Sequence, residues 1–231
     1  MHHHVDTTID VRNTPMTDIE TRLTALEHEL DDLRSREDDL RSREEIRDVM
    51  HRYCRAVDRL DAELLKSCYH DDANDTHWFA NGPAHPFSDW VVAEVLPHAH
   101  TTVHSLTNPI IELRGERAFV ESHVHVLHEM AIPGADPDTP HMHQLVECRY
   151  LDIFERRDRQ WKIHYRHVVV DNCVEFMVPV YPTGRRPAAA LGRRNKDDAV
   201  YAEFDLEKLR PEDKRIDFFA QFLAQEDSST R

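Results

Sequence analysis

The sequence predicts an α+β fold in which a curved sheet, antiparallel or mixed, packs against helices from the N-terminal half of the chain. Residues 46–69 place apolar side chains at helical spacing, and four later segments have the composition of strands joined by tight turns. A helix that is apolar on one side and a sheet of such strands must bury their apolar faces against each other. A helix with a heptad pattern precedes this unit, and a further helix follows it.

The composition of the 231-residue chain fits one domain with extensions, or at most two small domains. Hydrophobic residues make up 40% of the chain, and no apolar run approaches the roughly 18–20 residues that a membrane helix needs. The N-terminus lacks the apolar core of a signal peptide, so we expect a cytoplasmic protein without membrane contact. The net charge of −15 argues against a nucleic-acid partner, because phosphate binders normally carry a basic stripe.

The N-terminal part of the chain divides into two predicted segments. Residues 1–16 look disordered or tag-like, and residues 17–45 form a highly charged helix. Its apolar side chains recur at alternating spacings of four and three, with Glu37 at one expected seam position. These side chains are Ile19, Leu23, Leu26, Leu30, Leu33 and Leu40. A stripe this narrow needs a partner helix, so we predict an oligomerisation arm for a homodimer or homotrimer; the alternative is a helix that lies on its own domain.

Residues 46–182 form the predicted α+β domain, which begins with a helix over residues 46–69. The buried stripe of this helix is Ile46, Met50, Tyr53, Val57, Leu60 and Leu64. Asp58 falls at the edge of the stripe, where a carboxylate is half covered. That position suits either a residue that faces a pocket or an ordinary boundary charge.

The strands of the predicted sheet occupy the second half of the domain. A short helix over residues 88–100 precedes them. The predicted strands cover residues 107–113, 118–130, 143–156 and 161–173. Turns are expected at Arg114-Gly115-Glu116 and Asp158-Arg159, with a longer loop over residues 133–140. Residues 183–231 are predicted as a basic linker, whose arginines form an exposed loop, and a C-terminal amphipathic helix over residues 213–225.

Three stretches of residues 46–182 occur in an order typical of a known superfamily. They are Ile46-Arg-Asp-Val-Met-His-Arg-Tyr-Cys-Arg-Ala-Val-Asp-Arg-Leu-Asp61 with Cys68-Tyr-His-Asp-Asp-Ala73, then Thr101-Thr-Val-His-Ser-Leu-Thr-Asn108, and Phe154-Glu-Arg-Arg-Asp-Arg-Gln-Trp-Lys-Ile163. Together they resemble the SnoaL-like superfamily, which includes scytalone dehydratase, hexachlorocyclohexane dehydrochlorinase and bile acid 7α-dehydratase. The resemblance implies that the sheet closes into a cone around a pocket.

The resemblance also implies a set of catalytic side chains. Asp58 matches the helix aspartate of the dehydrochlorinase and the bile acid dehydratase, and His104 matches their catalytic histidine. Tyr53 matches a tyrosine of the bile acid dehydratase, and Arg166 falls where the dehydrochlorinase has a pocket arginine. In those relatives the histidine removes a proton from carbon while the aspartate orients it, and no cofactor takes part.

A histidine–aspartate pair suits proton transfer near neutral pH, because the ordinary histidine pKa is about 6.5 and a carboxylate fixes the ring tautomer. We therefore predict a cofactor-independent lyase of the dehydratase or elimination type that acts on a hydrophobic small molecule. The alternatives are an isomerase or hydrolase on the same scaffold, or a non-catalytic small subunit or binding protein. The apolar pocket lining is predicted to be Trp78, Phe79, Trp90, Val124, Leu145 and Val168.

The 18 histidines of the chain raise the alternative of a metal site. Those that are closely spaced, or that share a strand face, are His98, His100, His104, His123, His125, His141 and His143. Two histidines on one strand face with a nearby carboxylate are able to bind zinc or iron. The relatives with the histidine–aspartate pair work without metal, and no His-Glu-x-x-His pattern occurs, so we predict no metal.

Overall fold

The computed structural model describes residues 16–130, 141–178 and 192–202. Its helices and strands follow in the order α1 (Met16–Arg59), α2 (Ala62–Ser67), β1 (Tyr69–His77), β2 (Ala80–Pro83), α3 (Ala84–Trp90), β3 (Ala99–Arg114), β4 (Arg117–Met130), β5 (His141–Arg157) and β6 (Gln160–Val178). The predicted loop over residues 133–140, the predicted C-terminal helix and residues 1–15 lie outside the described residues.

Helix α1 joins the heptad segment and the first helix of the domain into one element of 44 residues. At a rise of 1.5 Å per residue this helix is about 66 Å long. It ends where Leu60 adopts the left-handed conformation, with φ of 54°. Asp61 then caps α2, because its side chain accepts a hydrogen bond from the backbone N–H of Leu64 at 3.2 Å.

The two halves of α1 have different surroundings. From Asp38 onward the helix contacts the sheet, and Arg156 donates to the Asp38 carboxylate at 2.8 Å. Further along, the predicted stripe turns inward, and Ile46, Met50 and Val57 are buried. Before Asp38 the apolar stripe is exposed, and the accessible fractions of its residues run from 44% for Ile19 to 61% for Leu26. Nothing in the described part of the chain covers this stripe, so the described residues do not support a helix that lies on its own domain.

The six strands form one sheet in the order β2-β1-β6-β5-β4-β3. Strands β1 and β6 are parallel, and all other neighbours are antiparallel. The predicted α+β class with a curved mixed sheet is therefore confirmed. The predicted turns are confirmed as well, since Gly115 has φ of 61° and Asp158 and Arg159 have φ of 51° and 62°.

A bulge in β3 contributes to the curvature of the sheet. The register between β3 and β4 shifts between Thr107 and Ile110, and Asn108 has a left-handed φ of 49°. A bulge bends its strand and increases the local twist. The first half of β3, which carries His104, therefore runs in a different direction from the half that follows Asn108.

Several elements differ from the sequence prediction. The helix predicted over residues 46–69 is divided at Leu60 into the end of α1 and the short α2. Residues 69–77 were not predicted as a strand but form β1, whose buried polar residues find partners inside the protein. The helix predicted over residues 88–100 begins earlier, as α3, and continues as a π-helical turn at Val91–Val95 and a 3-10 turn at Leu96–His98. Strand β3 begins at Ala99, eight residues before the predicted start at residue 107, because pairing with β4 extends along its polar first half.

Candidate active site

A cavity of about 280 Å³ lies between α1, α3 and the concave face of the sheet. Its polar lining residues are Tyr53, His77, His104, His128, Gln144 and Tyr150. The others are Val57, Trp78, Phe79, Phe87, Val91, Val95, Leu96, Ala99, Val126, Met130, Val146, Cys148, Val168 and Val170. A concave site with an apolar lining and a few polar groups is the usual form of a small-molecule site.

Asp58 and His104 are in contact at one wall of this cavity. The ring Nδ1 of His104 lies 2.7 Å from Oδ1 of Asp58, and the backbone N–H of His104 donates to both carboxylate oxygens at 3.1 Å. The two side chains are 9% and 14% exposed. An ionised carboxylate only accepts hydrogen bonds, so Nδ1 carries a proton, and in the neutral ring the lone pair is therefore on Nε2. No hydrogen bond to Nε2 is formed by the residues that the structure describes.

A second histidine, His128, lies beside His104 and was not predicted as a site residue. The two rings meet edge to face with their centroids 6.1 Å apart. His128 Nδ1 lies 3.1 Å from the hydroxyl oxygen of the buried Thr102. Burial, together with the charges of His104 and Arg194, lowers the pKa of His128 to about 4. His128 is therefore neutral at neutral pH and able to form a hydrogen bond in the cavity.

Arg166 lies beneath the cavity in an ion pair with Asp152, and both residues are fully buried. Its Nε and Nη2 donate to the two carboxylate oxygens at 2.8 and 2.7 Å. The guanidinium lies between two aromatic rings, 4.0 Å from the centroid of Tyr53 and 4.1 Å from that of Tyr150. Arg166 thus packs against the two tyrosines that line the cavity, and it is not itself one of the lining residues.

A third histidine, His77, lines the cavity from β1 and is also paired with a carboxylate. Its Nδ1 lies 2.5 Å from Oδ1 of Asp75, which is fully buried. The Tyr69 hydroxyl donates to the other oxygen of the same carboxylate. The His77 ring stacks on Phe87, with a centroid distance of 4.8 Å and an interplanar angle of 24°.

The predicted lining residues divide into two groups. Trp78, Phe79 and Val168 line the cavity, whereas Trp90, Val124 and Leu145 do not. Trp90, Val124 and Leu145 are absent from the lining for three different structural reasons.

Trp90 is 42% exposed and packs behind the aromatic lining, 6.1 Å from Phe87 between ring centroids. Val124 shares the inner face of β4 with Val126 and is packed in the hydrophobic core, but only Val126 reaches the cavity. Leu145 alternates with the lining residues of β5, so its side chain points to the opposite face of the sheet.

The segment 192–202 docks beside the Asp58 end of α1. Arg194 donates to the backbone carbonyls of Leu96 and Ala99 at 2.8 and 2.6 Å, and to that of Asp58 at 3.2 Å. Lys196 donates to the Asp61 carboxylate. The interpretation of this basic segment as an exposed loop is therefore wrong for Arg194, which satisfies carbonyls at the end of α1 and at the start of β3.

Within residues 16–130, 141–178 and 192–202, no three histidine, cysteine, aspartate or glutamate side chains are arranged to hold a metal ion. His141 instead contacts Glu129. His123 and His125 lie on the exposed face of β4. Over the same ranges, no helix is both long and apolar enough to cross a membrane.

The fold and the site together define an α+β cone whose cavity carries histidine–carboxylate pairs. A family model described as the SnoaL-like domain matches residues 38–167, more than half of the chain. The chain therefore belongs to the SnoaL-like domain family. No curated protein matches the chain.

Several solved structures share this fold. A type 2 hexachlorocyclohexane dehydrochlorinase has a TM-score of 0.57 and 24% identity, over 64% of this chain and 97% of that chain. The type 3 enzyme of Novosphingobium barchaimii has a TM-score of 0.55 and 23% identity, over 63% and 98%. A scytalone dehydratase-like protein from Novosphingobium aromaticivorans has a TM-score of 0.52 and 18% identity, over 64% and 97%. The chain thus has the same fold as proteins that are named as elimination enzymes.

Proposed function

We propose that the chain is a cofactor-independent lyase of the dehydratase or elimination type that acts on a hydrophobic small molecule. The observation that carries the proposal is the contact between Asp58 and Nδ1 of His104 at the cavity wall, which leaves Nε2 as the basic nitrogen of the neutral ring. A positioned base of this kind is what proton removal from carbon requires. The fold shared with dehydrochlorinase and dehydratase-like structures supports the same reaction class.

In the proposed reaction, Nε2 of His104 removes a proton from a carbon next to an activating group such as a carbonyl. Asp58 stabilises the imidazolium that forms, because charges in a cavity shielded from water are screened weakly. The electron pair of the C–H bond becomes the new double bond, and the leaving group departs with its own bonding pair. A leaving hydroxyl must take up one proton to depart as water.

In this proposal Tyr53 stabilises the negative charge that develops on the activating oxygen. Burial raises the pKa of its phenol above the ordinary value of 10.0, so the hydroxyl stays protonated and is able to donate a hydrogen bond. Arg166 supports the Tyr53 ring from below and acts as a positioning residue, without contact to the substrate. His128, neutral at neutral pH, offers a further hydrogen bond next to His104.

The hydrophobic substrate is inferred from the cavity itself. Aromatic side chains, among them Trp78, Phe79 and Phe87, form one side, and valines from β4, β5 and β6 form the other. The volume of about 280 Å³ lies at the lower end of the range for small-molecule sites. A compact molecule with an apolar body and few oxygen atoms fits this lining.

The test uses a β-hydroxy ketone, the aldol adduct of benzaldehyde and acetone, whose loss of water gives a conjugated ketone with strong ultraviolet absorbance. We expect the protein to accelerate this loss and His104→Gln to lower kcat/KM by roughly a hundredfold to ten-thousandfold. The matched control is His125→Gln, on the exposed face of β4, which should leave kcat/KM unchanged. Equal rates for the His104→Gln and wild-type proteins would contradict the proposal.

An isomerase or a hydrolase on the same scaffold is the second candidate. The same Nε2 would then return its proton to another carbon, or activate a water molecule. The mass of the product separates the three reactions, because elimination loses water, isomerisation conserves mass and hydrolysis gains water. A non-catalytic subunit or binding protein is a further candidate, and the open volume of the cavity argues against a cone plugged by its own side chains.

We also propose that the exposed stripe of α1 binds the same stripe of a second copy of this chain. The spacing puts Leu23 and Leu30 at one seam position of the heptad and Leu26 and Leu33 at the other. All four residues are exposed, and leucines repeated in this way are rarely left in water.

The charges beside this seam favour a parallel arrangement of the two helices. In a parallel pair, Arg22 of one protomer faces Glu27 of its partner, and Glu29 faces Arg34. The next such pair, Arg36 with Arg41, is repulsive, and Glu37 interrupts the seam. The proposed contact therefore covers residues 19–33, the part of α1 that lies before the first contact with the sheet.

A further inference from the structure

A second histidine–carboxylate pair shares the cavity with the first. His77 and His104 both line it, on β1 and β3, which are the second and the last strands in the order of the sheet. Three strands, β6, β5 and β4, separate the two histidines along the sheet. The curvature of the sheet therefore brings the two rings to different walls of one small cavity.

We propose that His77 is a second catalytic residue, the general acid that protonates the leaving group of the substrate. This inference rests on the proposed elimination and names the group that completes it. Elimination of water needs a base at one atom and a proton donor at the neighbouring atom, and two rings on different walls of the cavity fit these two tasks.

The surroundings of the two carboxylates support different roles for the two rings. Asp58 is partly exposed and accepts the backbone N–H of His104, so its charge is already stabilised by peptide groups. Asp75 is fully buried, and within the described residues its side chain is hydrogen-bonded by the Tyr69 hydroxyl and the His77 ring. Arg166 lies opposite Asp75 on β6, but its Nε and Nη2 donate to Asp152. A buried carboxylate without a permanent cation in hydrogen-bond contact is stabilised when its partner ring carries the positive charge.

Tyr69 fits this arrangement as a donor that does not titrate. Burial, together with the charge of Asp75, raises the pKa of its phenol well above the ordinary value. The hydroxyl therefore keeps its proton and holds one oxygen of the carboxylate, while the other oxygen faces His77. Phe87, stacked on the His77 ring, restricts its rotation, so Nδ1 stays on Asp75 and Nε2 is left for the substrate.

The complete step balances in protons and electrons. Nε2 of His104 takes the proton from carbon, and the electrons of that C–H bond form the double bond. The C–O bond breaks with its electron pair on oxygen, and the oxygen takes the proton from Nε2 of the His77 imidazolium and departs as water. His104 ends protonated and His77 neutral, and exchange with solvent restores both rings.

The experiment compares two leaving groups on one carbon skeleton. The first probe is the aldol adduct of benzaldehyde and acetone, and the second carries chloride in place of its hydroxyl. Both give the same conjugated ketone, but chloride leaves without a proton. We expect His77→Gln to lower the ratio of hydroxyl to chloride elimination, in kcat/KM, by at least about a hundredfold. The ratio is also measured for His77→Asn, and the rate with the chloride probe reports that each variant is folded.

The other outcomes are equally specific. His104→Gln should lower both rates and leave the ratio close to that of the wild-type protein, and His125→Gln should change neither rate. If His77→Gln and His77→Asn lower both rates by the same factor, or neither, the inference is overturned while the proposed elimination stands. If the wild-type protein accelerates neither reaction, the proposed elimination itself is contradicted, and the inference with it.

Discussion

Asp58 is bound to His104 through both the ring and the backbone of the histidine, at 2.7 and 3.1 Å. The carboxylate thus fixes the tautomer of the ring and also anchors the first half of β3 to α1. Asp58→Asn keeps the shape of the side chain but removes its charge and one acceptor oxygen. We expect kcat to fall by about a hundredfold to ten-thousandfold with little change in KM, measured with the β-hydroxy ketone probe.

The control for this change is Asp71→Asn, an exposed aspartate of β1. It removes the same charge from the chain and should leave kcat and KM as they are. A kcat of Asp58→Asn within about threefold of the wild-type value would show that the charge of Asp58 does not assist His104.

Removal of one partner from the buried pair of Asp152 and Arg166 should destabilise the protein strongly. Arg166→Met leaves a buried carboxylate without its cation, and we expect the free energy of unfolding to fall by about 3–5 kcal/mol. The double variant Arg166→Met with Asp152→Leu removes both charges and should be less destabilised than Arg166→Met alone. Urea denaturation followed by circular dichroism measures both; a loss below about 1 kcal/mol for Arg166→Met would contradict the prediction.

His128 should make the stability of the protein depend on pH. Its pKa is about 4 in the folded protein and about 6.5 when unfolded, so between these values the unfolded chain binds more protons. Stability therefore falls as the pH drops from about 6.5 to about 4, by up to about 3 kcal/mol. In His128→Gln this contribution is absent, and the difference in unfolding free energy between pH 7 and pH 4.5 should shrink accordingly. Thr102→Val serves as the control, because it removes the hydroxyl beside His128 but no titrating group.

Helices and turns that are determined by residues close to one another in the sequence were predictable from it. The buried stripe of α1 follows from helical spacing, and the turns at Gly115 and Asp158-Arg159 follow from residues that tolerate a left-handed backbone. The positions of Asp58 and His104 came from the resemblance, and the structure adds the distance between them.

Strand β1 was not predictable because its polar residues contradict the alternation expected of a strand. Asp75 is buried only because the fold surrounds it with the Tyr69 hydroxyl and the His77 ring. These contacts join residues through the fold, so the spacing of residues in the sequence does not predict the second histidine–carboxylate pair. The lining of the cavity was not predictable for a related reason. Val124 and Val126 share one face of β4, but only Val126 reaches the cavity, and the strand pattern does not distinguish the two.

The exposed stripe of α1 gives a prediction for solution behaviour. Leu26→Asp with Leu30→Asp places charges in the proposed seam and should convert the oligomer to a monomer, measured by sedimentation velocity at micromolar concentration. The control is His28→Asp, which lies on the side of the heptad away from the seam and should leave the oligomer intact. A wild-type protein that sediments as a monomer at these concentrations would contradict the proposed contact.

The unbroken course of α1 has a consequence for how the protein is handled. Leu23 and Asp58 lie on one helix, about 50 Å apart along its axis, with no hinge between them. Attachment to a resin, an electrode or an engineered fusion through the N-terminal half of α1 holds the α+β domain at the other end of one continuous helix. Immobilisation through the N-terminal half of the helix therefore leaves the length of the helix between the support and the domain.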